Sequence, residues 1–339
     1  MDNFADMKNF FSLISLISLI SFIVLFESCD TDFDINAEAK EIIVVYALLD
    51  KSRDTQYVKI NKAFLGENNA LIMAQNSAST NFLPSDLEVK VYKSTSNEVI
   101  DSVYLVDTVL VKEEGIFPDD ENIIYYFVNN NFLNGNSTYS LNVKNVNTQN
   151  SINSNTNIIN SFSFNNFNSN AFLFGFYNPS QPDTLKFLSK TMEWNKVTNG
   201  EIYQLDLRFN YNEDDGNNIS NKSLLFSQPL EEFTGGVMTS TIEGSKFFNF
   251  LQQNIQEKEN VVRRFLSIDI IMTIGTPELN TYIKVNEPIT GIVQHRPQYS
   301  NIDNGIGLFS SRYTYTEYNI GLTTDSRNYL INELNRSFE

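Results

Sequence analysis

The sequence is poor in the residues that most often carry enzyme chemistry. Its 339 residues include one cysteine, Cys29, and one histidine, His295. A disulfide within the chain is therefore impossible, and zinc sites built from several cysteine and histidine ligands are excluded. A serine triad would have to use His295, and no G-x-S-x-G elbow, H-E-x-x-H motif or glycine-rich phosphate loop occurs. We predict no catalytic, cofactor or metal-binding residues, and interpret His295 as an ordinary loop residue.

Basic residues are also scarce. The 24 lysines and arginines are outnumbered by 41 aspartates and glutamates, and the formal net charge is -17. A surface this acidic repels phosphate backbones, which excludes nucleic acid as an expected partner. Apolar residues, by contrast, make up 41% of the chain and include 27 Phe and 16 Tyr. That composition predicts sizeable hydrophobic cores and argues against wholesale disorder.

The N-terminal region predicts export. Residues 11–26, FSLISLISLISFIVLF, carry no charge. The run is shorter than the roughly 20 apolar residues that span a membrane and has the length of a signal-peptide core. The small residue Ser28 before Cys29 resembles the bacterial lipobox. We therefore predict a signal peptide at 1–28, cleavage before Cys29, and a lipid on Cys29 that holds the protein on a membrane. An uncleaved signal anchor is the alternative.

We predict that residues 29–41 form an acidic tether. The start of the mature chain resembles the signal that sends Bacteroidota lipoproteins to the outer face of the outer membrane. Its carboxylates also have the spacing of an EF-hand loop, but Ile35 occupies the position that requires glycine. A solvated tether is therefore preferred over a calcium site. The expected location is the outer membrane, facing the cell exterior, with the periplasmic face as the alternative.

The body of the chain alternates short β-type runs with turns rich in Asn, Ser and Gly. This texture predicts a mainly β fold with two β-sandwich domains of immunoglobulin or fibronectin-III type. Residues 42–147 form the predicted N-terminal domain, with strands at 42–49, 55–64, 87–93, 99–107, 122–129 and 137–146. Residues 148–182, dominated by Asn and Ser, are interpreted as a linker or long loop, although their Phe and Ile residues could form an edge strand.

Residues 183–339 form the predicted C-terminal sandwich domain, with one or two short helices. Trp194 is placed on a strand that turns at Asn199 and Gly200 and pairs with the strand that follows, and its side chain is interpreted as a core anchor. Apolar residues at helical spacing predict a helix near 244–258, capped by Ser245. A second short helix is expected to close the chain.

Two kinds of candidate site remain in this body. Acidic residues cluster in two predicted loops, at Glu113, Glu114, Asp119, Asp120 and Glu121, and at Glu213, Asp214 and Asp215. We interpret both clusters as solvated loop acids, with a catalytic pair or a weak calcium site as alternatives. The tripeptides that contain Ser102, Thr108 and Thr184 resemble the Bacteroidota O-glycosylation signal, Asp-Ser/Thr followed by an apolar residue. These three residues are therefore candidate O-glycosylation sites.

Several segments together resemble one family. They are the lipoprotein start, residues 42–65, the hairpin predicted around Trp194 and, above all, residues 299–312, YSNIDNGIGLFSSR. They are similar to the Bacteroidota outer-membrane lipoproteins of domain of unknown function 4249. In the most specific stretch, Asn304 replaces a glycine of the family pattern, which a left-handed turn accepts. The resemblance implies lipoproteins that accompany TonB-dependent outer-membrane transporters, and it supplies no catalytic residues.

The sequence leaves three classes of function open. The leading hypothesis is a non-enzymatic surface lipoprotein that captures a nutrient or glycan, or binds a partner protein, beside a TonB-dependent transporter. The second is a β-sandwich hydrolase with loop carboxylates, and the third is a structural or adhesive module. An aromatic row on a sheet face would favour glycan binding, and two carboxylates converging in a cleft would favour a hydrolase. A flat apolar patch would favour a protein partner.

Overall fold

The computed structural model describes residues 42–63, 80–111, 122–168, 171–288 and 298–339. All of them belong to one compact unit that begins at Glu41. The predicted signal peptide, the tether with Cys29, and His295 lie outside the described residues. The described part is mainly β-structure with three short helices. The predicted fold class, mainly β and of sandwich type with few helices, is confirmed.

The described residues form sixteen strands and three helices. The strands are β1 (Ile42–Leu49), β2 (Thr55–Ala63), β3 (Leu87–Thr95), β4 (Glu98–Tyr104), β5 (Val106–Val109), β6 (Ile123–Val128), β7 (Thr138–Asn145), β8 (Ser151–Asn157), β9 (Leu173–Phe174), β10 (Ser189–Trp194), β11 (Ile202–Asp214), β12 (Ile219–Ser227), β13 (Glu231–Glu232), β14 (Met238–Glu243), β15 (Val262–Gly275) and β16 (Ile306–Leu322). The helices are α1 (Gly244–Asn254), α2 (Pro277–Asn286) and α3 (Thr324–Asn332).

Three sheets are present in the described residues. The large sheet has the order β12-β11-β15-β16-β1-β2-β6-β5, with β13 beside β11 and β9 beside β16. A four-stranded sheet has the order β4-β3-β7-β8, and β10 pairs with β14. Two neighbouring pairs are parallel, β1 with β16 and β9 with β16. The large sheet therefore combines strands from both ends of the chain.

An N-terminal sandwich forms where β1, β2 and β6 face the four-stranded sheet. Every second residue of these strands points into a shared core, as expected for a sheet with one buried face. The core contains Val45, Val58 and Phe127 from the large sheet and Val91 and Leu141 from the four-stranded sheet. This sandwich presents two outer faces to solvent, one on each sheet.

All six strands predicted in this region are present, with one difference. The predicted strand at 99–107 is divided into β4 and β5, which belong to different sheets. The division falls at Leu105, which is buried and whose N–H donates to the carbonyl of Val89 at 2.9 Å. Residues 103–106, Val-Tyr-Leu-Val, form a continuous apolar run across this residue, so no polar or turn residue marks the change of sheet. Both β4 and β5 are edge strands.

Tyr139 fixes the connection from β6 to β7, which passes from one sheet to the other. Its ring is fully buried, and its hydroxyl donates to the carbonyl of Phe132 at 2.8 Å. The same oxygen accepts the N–H of Asn134 at 2.8 Å. This arrangement is similar to the tyrosine corner of immunoglobulin-type sandwiches. Burial raises the pKa of the Tyr139 hydroxyl.

The segment predicted as a linker or loop contains an edge strand, β8, the alternative that its composition left open. Its inward residues are Ile152, Ser154 and Thr156, so most of its buried positions are polar. The hydroxyl of Ser154 donates to the carbonyl of Asn301 at 2.6 Å, which compensates its burial. Because small polar residues replace apolar ones on the buried face, the hydrophobic alternation of a strand is not visible in the sequence.

Two hydrophobic cores follow the two halves of the chain. One draws on residues 43–158 together with Ile302 and Phe309, and the other on residues 159–338. Strand β16 reaches both, because its first six residues pair with β1 and the following residues pair with β15. The large sheet runs through both cores, and the predicted division of the chain into two sandwich domains stays a prediction.

Trp194 is a core anchor, as predicted, but the hairpin predicted around it is wrong. The side chain is fully buried and contacts the rings of Phe162, Phe164 and Tyr203. The turn is present, with Asn199 in the left-handed region at φ 67°. The strands on either side of it nevertheless belong to different sheets, since β10 pairs with β14 and β11 pairs with β12, β13 and β15.

The helix predicted near 244–258 is present as α1. Phe247, Phe248 and Leu251 are buried on one face, as their spacing indicates. The predicted cap is wrong, because Ser245 lies inside the helix and the residue at the N-cap is Glu243. The predicted closing helix is α3. Helix α2 was not predicted, because its sequence lacks a continuous apolar stripe.

Candidate functional site

An aromatic row crosses the outer face of the large sheet on strands β1, β2 and β6. Alternation places Val45 and Val58 in the core, and it places Tyr46 and Tyr57 on the opposite face. Tyr126 on β6 is the direct cross-strand partner of Tyr57, and the two ring centroids lie 6.4 Å apart. Tyr46 and Tyr57 are each 43% exposed. Three tyrosines on adjacent strands therefore share one solvent-facing surface.

Apolar side chains flank these rings on the same face, which also carries Lys59, the cross-strand partner of Tyr46. Val106 on β5 is the cross-strand partner of Tyr126 and is 58% exposed. Val128, two residues along β6, and Ile306, beside β1, are also exposed. Contiguous exposed apolar side chains of this kind mark interaction surfaces. We call this surface the tyrosine face; it comprises Tyr46, Tyr57, Tyr126, Val106, Val128 and Ile306.

Helix α2 extends the tyrosine face beyond the sheet. The Tyr282 ring lies edge-on to the Tyr46 ring, with the centroids 6.0 Å apart. Burial and a hydrogen bond with Tyr282 raise the pKa of the Tyr46 hydroxyl. The helix is anchored next to β16 through a buried hydrogen bond of 2.6 Å between the hydroxyls of Thr276 and Ser310. The position of Tyr282 is therefore held by the fold.

The segment that carries the family resemblance has a structural role. Both main-chain groups of Phe309 bind the side chain of Asn301, whose Nδ2 donates to the Phe309 carbonyl at 2.7 Å and whose Oδ1 accepts its N–H at 3.0 Å. Asn304 adopts a left-handed φ of 61°, as predicted. Leu308 and Phe309 are both buried, so the segment is a turn that leads into a packed strand. The segment joins β16 to the N-terminal core.

Position 307 in this segment accepts only glycine. Its φ is +123°, and a Cβ atom there would lie 1.9 Å from the carbonyl oxygen of Val45 on β1. The parallel pairing of β1 with β16 therefore depends on the missing side chain. This is a packing requirement rather than a ligand site.

The described acidic cluster is engaged in structural contacts. Glu213 accepts hydrogen bonds from Lys258 at 2.8 Å and from Arg263 at 3.0 and 2.8 Å, and these partners hold its pKa below the ordinary value. Asp215 accepts the main-chain N–H groups of Asn217 and Asn218 in a turn. Within the described ranges no group of three His, Cys, Asp or Glu residues could hold a metal ion. The other cluster, at 113–121, lies outside the described residues.

The candidate glycosylation sites lie on separate elements. Ser102 is exposed on the edge strand β4, and Thr184 is exposed in a 3-10 turn at 183–185. Thr108 on β5 is half-buried. Modification at these positions stays a prediction. Lipidation at Cys29 and the role of His295 also stay predictions, because both residues lie outside the described ranges.

A polar cleft of about 390 Å³ lies in the C-terminal part. It is lined by eight residues, all polar except Val197: Asn160, Ser161, Ser163, Asn165, Asn195, Lys196, Val197 and Thr198. Asn195 and Asn165 bind each other across it at 3.0 Å, and Lys196 is paired with Glu201 at 2.7 Å. Carboxylates do not line it, so this cleft does not supply the acid pair that the hydrolase hypothesis requires.

The comparisons with family models and with curated sequences add no relative. No protein-family model matches the chain, and no curated protein matches its sequence. Among the helices of the described part, none has the length and apolar character needed to cross a membrane.

The tyrosine face was not predicted from the sequence. The available signal was the outward position of Tyr46 and Tyr57 in two alternating strands.

Proposed function

We propose that this chain is a non-enzymatic outer-membrane lipoprotein that binds a partner protein through its tyrosine face. It is anchored by a lipid on Cys29 and faces the cell exterior. The class of partner is a TonB-dependent outer-membrane transporter, as the resemblance to the lipoproteins of domain of unknown function 4249 implies. The observation that carries the proposal is the row of exposed Tyr46 and Tyr57 and half-buried Tyr126, with exposed apolar side chains beside it.

Protein interfaces favour this composition. Aromatic residues are enriched at interface centres, where Tyr and Trp often supply about 2 kcal/mol or more each. A tyrosine ring also loses little conformational freedom on binding, because it has two rotatable side-chain bonds. The ring of Tyr46 is additionally braced by Tyr282. The tyrosine face is therefore partly organised before a partner arrives.

A sugar is the competing ligand for an aromatic row. Rings stack on sugars, but the hydroxyl groups around a sugar also need hydrogen-bonding partners. Val106, Val128 and Ile306 beside the row offer none, and the Nζ atom of Lys59, opposite Tyr46, already donates to Asn122 and to the carbonyl of Ile123. A protein partner with an apolar patch matches them better. The hydrolase hypothesis is weakened because the described acids Glu213 and Asp215 are held by structural partners.

The test is co-purification of the full-length lipidated protein from its own cells after mild detergent extraction. We expect a TonB-dependent transporter to co-purify with the wild-type chain and to be lost with Y57A/Y126A. The matched control is N155A, an exposed substitution on the other sheet of the sandwich. If no outer-membrane transporter co-purifies, or if Y57A/Y126A retains it fully, the proposed function is wrong.

The lipid anchor has a separate test. The N-terminal peptide of the mature protein should begin at Cys29 and carry the mass of the attached acyl chains. C29S should move the protein from the membrane fraction to the soluble fraction or block its processing. Recovery of a peptide from residues 1–28 on the mature protein, or of unmodified Cys29, would contradict the anchor.

A further inference from the structure

The outer face of the four-stranded sheet differs in chemistry from the tyrosine face. Its inner face is apolar on β7, where Tyr139, Leu141 and Val143 are fully buried. On the outer face, β7 and β8 present only hydroxyl and amide side chains over three consecutive outward positions. We call these six residues the amide ladder: Thr138, Ser140 and Asn142 on β7, and Asn153, Asn155 and Asn157 on β8.

The amide ladder is ordered by its own hydrogen bonds. Each β7 side chain binds the β8 asparagine opposite it, in three rungs: Thr138 with Asn157, Ser140 with Asn155, and Asn142 with Asn153. In every rung the asparagine oxygen is the acceptor, and the NH₂ group of that asparagine is not used in the rung. The three asparagines are exposed. Donors therefore recur along the strand every two residues, at intervals of about 7 Å.

Two tyrosines continue this face on β3 and β4. Tyr92 is the cross-strand partner of Ser140, and Tyr104 on β4 is the partner of Lys90. The Nζ atom of Lys90 lies 4.7 Å from the Tyr92 ring centroid and 4.5 Å from that of Tyr104. The ammonium group therefore makes a cation–π contact with both rings. Tyr104 remains 57% exposed, which leaves its ring accessible.

We propose that this face is a carbohydrate-binding site for an uncharged glycan chain. Tyr104 and Tyr92 would stack on the apolar faces of sugar rings, while the amide ladder bonds the hydroxyl groups of neighbouring sugars. Asparagine amides suit this task because each supplies both donors and an acceptor to groups that are themselves donors and acceptors. The site is distinct from the tyrosine face and does not depend on the partner proposed for it.

A protein partner fits this face poorly. Serine and lysine are depleted at protein interfaces, and the amide ladder offers no apolar anchor at its centre. Covering six polar side chains with a protein surface removes their hydration, and that cost is recovered only if each finds a new partner. A hydrated sugar chain carries hydroxyl groups at every ring and meets this requirement.

The charges near the site favour a neutral ligand. The positive charge of Lys90 already contacts two rings, and Lys144 lies opposite Glu88 in the pairing of β7 with β3. The whole chain has a net charge of -17 and repels polyanions. An acidic polysaccharide would therefore bind more weakly than a neutral one.

The candidate glycosylation site Ser102 shares this face. It is the cross-strand partner of Tyr92, so a glycan attached there would occupy the surface on which a ligand has to lie. A glycan attached to Ser102 would therefore block the binding site. Binding should therefore be measured in an S102A background as well as in the wild-type chain.

The test is affinity electrophoresis of the purified full-length protein in gels that contain a single polysaccharide. The neutral probes are starch, xylan, mannan and mixed-linkage β-glucan, and alginate is the acidic probe. We expect at least one neutral polysaccharide to retard the protein, and Y104A to weaken that binding about tenfold. N155A should weaken it as well. Y57A, on the tyrosine face, is the matched control and should bind as the wild type does.

Three outcomes would overturn the carbohydrate site. They are no retardation by any neutral polysaccharide in the wild-type or S102A chain, retardation that Y104A and N155A leave unchanged, and retardation by alginate alone that salt abolishes. Thermal unfolding of each variant guards against a folding defect, which is not expected at exposed positions. The co-purification test with Y57A/Y126A uses no polysaccharide. Failure of the carbohydrate site and failure of the proposed function can therefore be told apart.

Discussion

Arg263 and Glu213 form an ion pair in which the arginine is fully buried. The Nε and Nη2 atoms of Arg263 donate to the same carboxylate oxygen at 3.0 and 2.8 Å. The guanidinium also donates to the carbonyls of Arg336 at 2.7 Å and Gln256 at 3.0 Å. Strands β11 and β15 are thereby connected to the C-terminal end of the chain through one side chain.

Replacing this arginine should destabilise the protein strongly. R263A leaves Glu213 with Lys258 as its one remaining charged partner and removes this donor from two carbonyls in a buried site, which costs about 3–5 kcal/mol. The control is R264A, because its side chain is 44% exposed and paired with Asp214 and Glu339 at the surface. Such a pair contributes about 0–1 kcal/mol. Urea unfolding measures both variants, and equal losses of stability would contradict the interpretation of Arg263.

The ion pair should also make stability depend on pH. Lys258 and Arg263 hold the pKa of Glu213 below its unfolded value of about 4.3. The stabilisation is therefore fully present above that value and is lost as pH falls through the depressed pKa. We expect E213Q to be less stable than the wild type at pH 7 and to lose less stability between pH 5 and 3. If the unfolding midpoints of E213Q and the wild type change by the same amount between pH 5 and 3, this expectation is wrong.

Gly307 should be far less tolerant of a side chain than a glycine with similar backbone geometry. Gly307 has φ +123° and Gly235 has φ +118°, but only Gly307 lies against the main chain of Val45. G235A should cost about 1–3 kcal/mol from backbone strain alone. G307A should cost about 1–3 kcal/mol more, because β1 and β16 must separate. Equal free energies of unfolding would show that the close approach is unimportant.

The hydroxyl of Tyr139 should stabilise the N-terminal sandwich. Y139F removes a donor to Phe132 and an acceptor for the N–H of Asn134 while keeping the ring. The loss should be about 1–3 kcal/mol, because these groups become unsatisfied next to a buried ring. Y104F, which removes an exposed hydroxyl, should change stability by no more than about 0.5 kcal/mol. Thermal unfolding followed by circular dichroism distinguishes the two variants.

The strands of the N-terminal sandwich could be predicted because their signal is local. The run at Ile42–Leu49 and the alternation in Thr55–Ala63 are each visible within fewer than ten residues. The buried stripe of α1 was visible for the same reason, with Phe247, Phe248 and Leu251 at helical spacing. Polar residues in buried positions removed this signal from β8, which was interpreted as linker or loop with an edge strand only as an alternative.

The pairing of strands could not be predicted in the same way. Trp194 and the strand after its turn are close in the sequence, and a hairpin was the simplest expectation. The actual partner of β10 is β14, more than forty residues later, and β1 pairs with β16 from the opposite end of the chain. Such contacts depend on which buried faces fit together, and neither strand alone carries that information.

The sequence by itself determined the chemical limits of this protein. One cysteine and one histidine exclude disulfide and Cys/His zinc chemistry, and the charge of -17 disfavours nucleic acid. It also determined the β-structure, because alternation is a property of consecutive residues. Only the tertiary structure decided the two outer faces. Tyr57 lies opposite Tyr126 because of the register between β2 and β6, which are distant in sequence. Ser140 lies opposite Asn155 because of the register between β7 and β8, which a turn connects. Register follows from packing of the shared core, so surface composition emerges only when that core is formed.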